Sequence, residues 1–444
     1  MNSWGTFDVK EVFRLVFRVL LYTLGAILVG FGLLVSVYML PTTRIRQNIA
    51  ISSEQISEED TYYQWAKGYK NAQSDTYTDA SLYLNAMYPG ENTISEAIVN
   101  SLNVPRLIYG DDNNEASVVL FANDQPGELQ EIQYGRYWHG SLVLLKPLLM
   151  LFDLGDMRIF EMMIQLALMV MIIIRLVQKG KTNVLWAFLV MVILLNPITM
   201  VLGFCFSVEY VLMLIMVNIV LYFHKQLLVN RRYYFFFLIN GILFDYFNEL
   251  SFPMIGLGIP LVMYLILSQE NVKTMVKREI LFSIAWGVGY VSMWVGKWIL
   301  AWIFTGYNYV AEAVHQAQRY TSENATWEVN NPSVLDRIMK NVNVYMKWPY
   351  FFLGLITLAF IVFYLLKIKN KNWRKMLYYM LPYLLPIIMP FIIYIAIGNG
   401  YSYVHYWFTH RLLAISVFAG ICMLVQNWER LECNKSKGEH NGEK

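Results

Sequence analysis

The chain has 444 residues, of which 57% are hydrophobic, 16% aromatic and only 15% charged. Soluble domains carry about a quarter charged residues, so the deficit argues against a soluble enzyme and for an all-α integral membrane protein. A formal net charge of +3 is too small to imply a nucleic-acid partner, and the three cysteines, Cys205, Cys422 and Cys433, are spaced for neither a disulfide framework nor a metal cluster.

The first apolar segment, residues about 16–40, follows Lys10, Arg14 and Arg18 and runs into Val-Tyr-Met-Leu-Pro with no small-residue cleavage pattern. It reads as a retained membrane helix with a cytoplasmic N-terminus. A polar region then extends to about residue 140. It contains the helix-like stretch Asp79–Met87, with Thr78 placed as its N-cap, and a turn-like run from Gly110 to Asn114. The apolar run 141–152 is too short to span and is interrupted by Lys146-Pro147, which suits a juxtamembrane or re-entrant helix. Further spans are expected at about 157–176, 184–203, 206–223, 233–250, 252–268, 280–304, 348–366, 376–397 and 409–426. The short loops expected inside are basic, as in Arg175–Lys181, Lys225–Arg232, Lys273–Arg278 and Lys367–Lys375.

The layout is therefore about ten transmembrane helices with both termini cytoplasmic, in a cell membrane. The expected division is 1–40, N-terminus and first helix; 41–156, a large helical outer loop with the juxtamembrane helix; 157–304, membrane helices; 305–346, a second outer loop; 347–429, the C-terminal helices; and 430–444, a disordered cytoplasmic tail.

Four polar groupings fall on the expected outer side. The first is acidic: Glu54, Glu58, Glu59, Asp60, Asp75 and Asp79. It is either a solvated surface or, at Asp79, a carboxylate in reduced dielectric able to act as a general base. The second, GRYWHG at 135–140, is an interfacial aromatic belt or a place where Arg136 and His139 meet a phosphate or sugar. In the third, FDYFNELSFP at 244–253, Asp245 and Glu249 are four residues apart and should share a helix face, with Lys297 a candidate partner. The third grouping reads equally as a structural ion pair. The fourth, NGYSYVHYWFTHR at 399–411, places His405, His410 and Arg411 among aromatics, as a sugar-binding loop or a membrane anchor would.

Gly287 and Gly289 read as helix-packing glycines, Asn324-Ala-Thr326 is a formal glycosylation sequon of high random frequency, and no nucleotide-binding fingerprint or metal-ligand spacing occurs.

One helix, an acidic outer loop, a juxtamembrane stretch around RYWHG and then a multi-helix array resemble the GT-C glycosyltransferase architecture. The segments TDASLYLNAM, GRYWHGSLVLLKPLL, FDYFNELSFPMIGLGIPL and HYWFTHRLLAIS also resemble those of uncharacterised bacterial polytopic membrane proteins. The GT-C resemblance implies transfer of a sugar from a polyprenyl-phosphate donor to a glycan or other envelope acceptor. Asp79, Asp245 and Glu249 would be catalytic, and Arg136, His139, Lys297, His405, His410 and Arg411 would bind substrate. No cofactor is indicated. The alternatives are a transporter or flippase of lipid-linked envelope intermediates, or a scaffold or sensor in envelope assembly.

Overall fold

The computed structural model describes residues 9–89, 92–110, 114–321, 332–367, 373–398 and 400–440. The sequon at Asn324 and the centre of the Gly110–Asn114 turn lie outside the described residues. In chain order the helices are α1 (Val9–Tyr38), α2 (Thr43–Ile51), α3 (Ser53–Glu58), α4 (Thr76–Met87), α5 (Ile94–Asn103), α6 (Asn114–Ala122), α7 (Leu142–Leu151), α8 (Leu154–Gln178), α9 (Thr182–Leu195) and α10 (Pro197–Leu202). They continue as α11 (Phe204–Leu228), α12 (Arg232–Phe247), α13 (Met254–Leu267), α14 (Val272–Thr305), α15 (Tyr309–Thr321), α16 (Val334–Val342), α17 (Trp348–Lys367), α18 (Trp373–Ala396), α19 (Tyr406–Thr409) and α20 (Leu413–His440). Two short strands, β1 (Arg106–Tyr109) and β2 (Leu129–Ile132), pair antiparallel with Arg106 opposite Ile132.

Among the described residues, seven helical stretches are long and apolar enough to cross a membrane: α1, α8, α11, α14, α17, α18 and the run from Tyr406 to Gln426. The chain is an all-α, multi-pass membrane protein by this measure. The other three expected spans form helices of 14, 16 and 14 residues, α9, α12 and α13. At 1.5 Å per residue these reach about 21–24 Å, short of a hydrocarbon core of about 30 Å.

The span expected at 184–203 is broken because Asn196 adopts a left-handed conformation and its side chain caps the amide of Thr199, restarting the chain as α10 behind Pro197. The expected disordered tail is instead helical as far as His440.

Helices α11 and α13 form the buried centre of the bundle, with every residue of α13 after Met254 buried. Helices α12 and α14 cross at close range. A Cβ on Gly241 would run into the Trp286 carbonyl, and one on Gly289 into the Leu238 carbonyl, whereas Gly287 faces open space. Small residues at such contacts let backbones approach closely.

Helices α2–α7 and the strand pair build a subdomain from residues 41–151. Helix α4 starts three residues earlier than expected: Asp75, not Thr78, is its N-cap, accepting from the Thr78 amide at 3.0 Å and hydroxyl at 2.8 Å.

Candidate functional site

Where this subdomain meets α8 and α11, a narrow cleft is lined by Glu59, Thr76, Asp79, Tyr83, Glu115 and Arg158, closed by Ile56, Ala80 and Leu154. It has room for about one water. Helix α4 places Asp79 one turn after its cap, facing the start of α11. The Asp79 oxygens accept the amides of Phe204 at 2.8 Å and Cys205 at 2.9 Å, two of the N–H groups that have no partner within α11 itself. The positive end of the helix dipole favours the anion there. Burial nevertheless dominates and pushes the Asp79 carboxyl up to about 7; the two amides oppose the rise and the charge of Asp75 adds to it.

Opposite, Arg158 in the second turn of α8 grips Glu59 with both ends of its guanidinium, at 2.5 and 2.6 Å, and donates to the Leu202 carbonyl at 2.8 Å. A fork-to-fork pair of this kind fixes both side chains in orientation. The Thr61 hydroxyl donates to Glu115 at 3.1 Å, and burial raises the Glu115 carboxyl above its usual range. The cleft thus holds three carboxyl groups against one guanidinium.

A second polar centre joins segments that are far apart in the chain. His139 Nδ1 lies 2.9 Å from a Glu249 oxygen, and its Nε2 lies 3.2 Å from the Tyr134 carbonyl. Both residues are at least nine-tenths buried. His139 and Leu250, which follows Glu249, both have positive φ, a conformation that costs free energy for residues with a Cβ. Asp75 lies in the fields of Glu249 and Arg411; its carboxyl is pushed up to about 6, chiefly by burial, with Thr78 and Arg411 opposing the rise.

A third centre was not legible in the sequence. The fully buried Asn71 accepts at its carbonyl from Asn196 (2.9 Å), Thr199 (3.1 Å) and Arg411 (3.2 Å). Its side chain reaches the Tyr350 hydroxyl at 2.6 Å and His410 Nε2 at 2.9 Å. Arg411 also donates to the carbonyls of Gln73 and Trp407. These contacts fasten the 41–151 subdomain to the α9–α10 turn, α17 and the segment before α20.

Several expected groupings are corrected. Asp245 and Glu249 do not share a helix face, because α12 ends at Phe247 and Asn248 is extended. Asp245 is buried, and its Oδ2 has no hydrogen-bond partner among the described residues. Lys297 serves neither carboxylate; its ammonium donates to the Ser101 carbonyl at 2.9 Å and lies 5.4 Å from the Trp138 ring centre. Arg136 pairs with Glu312 at 2.6 Å, its guanidinium over Tyr134 and Tyr137. His405 Nδ1 lies 2.6 Å from the Gly400 carbonyl. Of the residues expected to catalyse or bind, Asp79 lines the cleft and the others do not; Glu59 of the same acidic grouping lies there with it. Arg158, the cleft's cation, falls inside the span expected at about 157–176.

Fold and polar centres together define a polytopic helical membrane protein with a subdomain seated on its helix ends. The chain matches no family model, no curated protein and no solved structure.

Proposed function

We propose that the protein is a GT-C-like membrane glycosyltransferase that moves a sugar from a polyprenyl-phosphate donor to an envelope acceptor on the outer face. This reading includes ten membrane crossings, with α9–α10, α12 and α13 completing the bundle, and both termini cytoplasmic. The observation that carries it is the cleft at the mouths of α8 and α11, where a carboxyl raised to about 7 faces an arginine clamped by a carboxylate. A base is most effective when its pKa lies near the working pH.

Asp79 takes the proton of the acceptor hydroxyl, whose oxygen attacks the anomeric carbon as the bond from that carbon to the phosphate oxygen breaks. The lipid phosphate leaves with the bonding electron pair. Arg158 exchanges Glu59 for a phosphate oxygen and stabilises the departing charge. Since the cleft holds about one water, loading requires the 41–151 subdomain to draw away from α8. Replacing Asp79 by Asn is the test: loss of glycan assembly at normal protein level supports the assignment, and full assembly removes Asp79 as the base.

A transporter or flippase is the second reading, favoured by buried carboxyl groups within helices, at Glu161, Glu209, Asp245 and Glu279. Movement of a labelled lipid-linked sugar across vesicles without chemical change would select it.

A further inference from the structure

Helix α16 and the turn after it carry an apolar edge that no described residue covers. Leu335 and Met339 are four residues apart and stand 65% and 42% exposed, and Met346 continues the edge at 68%. The charged residues Asp336, Arg337 and Lys340 occupy another side of the helix, and the buried Asn341 marks the side turned into the protein. One residue beyond the exposed Lys347, Trp348 opens α17 and is itself 72% exposed, followed by the exposed Phe351, Phe352 and Leu355. The apolar edge of α16 is therefore continuous with the flank of a helix long and apolar enough to span a membrane.

We infer that α16 lies along the membrane interface, with Leu335, Met339 and Met346 in the acyl boundary and the Lys347 ammonium among headgroup phosphates. Three features of the segment fit a lipid surface. The apolar edge has the spacing of an amphipathic interfacial helix. Trp348 stands at the level where amphipathic rings gather. Lys347, between Met346 and Trp348, can bury its stem and keep its charge in the headgroups.

The helix is not a passive float. Asn341 donates to the Ser402 carbonyl at 2.7 Å and accepts the Thr409 hydroxyl at 2.7 Å. Lys340 lies over the Tyr403 ring at 3.5 Å. In the following turn, Tyr345 donates to the Leu194 carbonyl at 2.9 Å and packs its ring against His410. The lipid-facing helix is thereby bonded to the segment that holds Asn71 and, through it, the 41–151 subdomain. Its depth in the interface fixes the height of that subdomain above the membrane.

The test is independent of any transferase activity. Spin labels are placed at Leu335→Cys and Met339→Cys in a Cys433→Ser background, in protein reconstituted into phospholipid bilayers. Accessibility to oxygen and to a water-soluble nickel complex is then compared with labels at Phe352→Cys and Glu58→Cys. The expected result is an oxygen-to-nickel ratio at 335 and 339 that matches the label at 352 and exceeds that at 58 several-fold. A ratio equal to that at 58, or protection from both relaxants as under a protein partner, overturns the inference.

Discussion

The Asn71→Ala substitution probes how the 41–151 subdomain is held. Asn71 is fully buried, and its side chain alone meets His410 Nε2 and the Tyr350 hydroxyl. Truncation leaves both of those groups without their partner, at a cost of about 1–3 kcal/mol for each buried group. Tyr350 is only partly buried and recovers some of this through water, so a net loss of about 3 kcal/mol is expected. The backbone carbonyl of residue 71 still accepts from Asn196, Thr199 and Arg411. The subdomain should accordingly loosen rather than detach. The assay is thermal denaturation in detergent followed by tryptophan fluorescence, together with limited proteolysis. The expected outcome is a lowered midpoint and faster cleavage between residues 41 and 140, with the helices of the bundle remaining resistant. A change within about 0.5 kcal/mol, typical of a neutral surface substitution, would refute the view of Asn71 as the fastening point.

Gly241→Ala forces a methyl group against the Trp286 carbonyl and should destabilise the bundle by about 1–3 kcal/mol, whereas Gly287→Ala, which faces open space, should leave the melting midpoint unchanged. Burial raises the carboxyls of Asp75 and Asp79 to about 6 and about 7. The folded state therefore binds protons that the unfolded chain, with carboxyls near 4, has lost. The stability from holding these groups neutral is complete below about pH 4 and fades as pH rises through 6 and 7; denaturation midpoints in Asp79→Asn should show a shallower fall across that range, and an unchanged slope would count against the assignment. Arg158→Lys keeps the charge but loses the two-pronged grip on Glu59. It should reduce glycan assembly more than it reduces protein level, and equal effects on both would make Arg158 a purely structural residue.

Much of the helical layout could be read from hydropathy, because a 17–25-residue apolar run has few other fates. The breaks were harder. Asn196-Pro197 carries a stop and a restart, but within a run apolar enough to pass for one span. Thr78 reads as the cap of a helix from Asp79, and only the geometry shows that its amide is the group being capped, by Asp75. The spacing of Asp245 and Glu249 implied a shared face only if the helix continued, and it ends between them.

The polar centres were less legible, since they are made by pairs remote in sequence. Asp79 meets α11 across 125 residues, and Arg158 meets Glu59 across 99. A signal for Arg158 did exist: an arginine five residues beyond the capping Asp153, at the edge of an apolar run, is costly there unless paired. Asn71 gave none, because a neutral asparagine in a polar loop is unremarkable until its partners are known.

Removal of the acceptor's proton by Asp79 makes transfer from a polyprenyl-phosphate-linked sugar, by purified protein in liposomes, depend on that carboxylate. Asp79→Asn should lower the transfer rate by about 10²–10⁴-fold while the protein remains folded and monodisperse. Transfer by Asp79→Asn at the unmodified protein's rate would contradict that dependence.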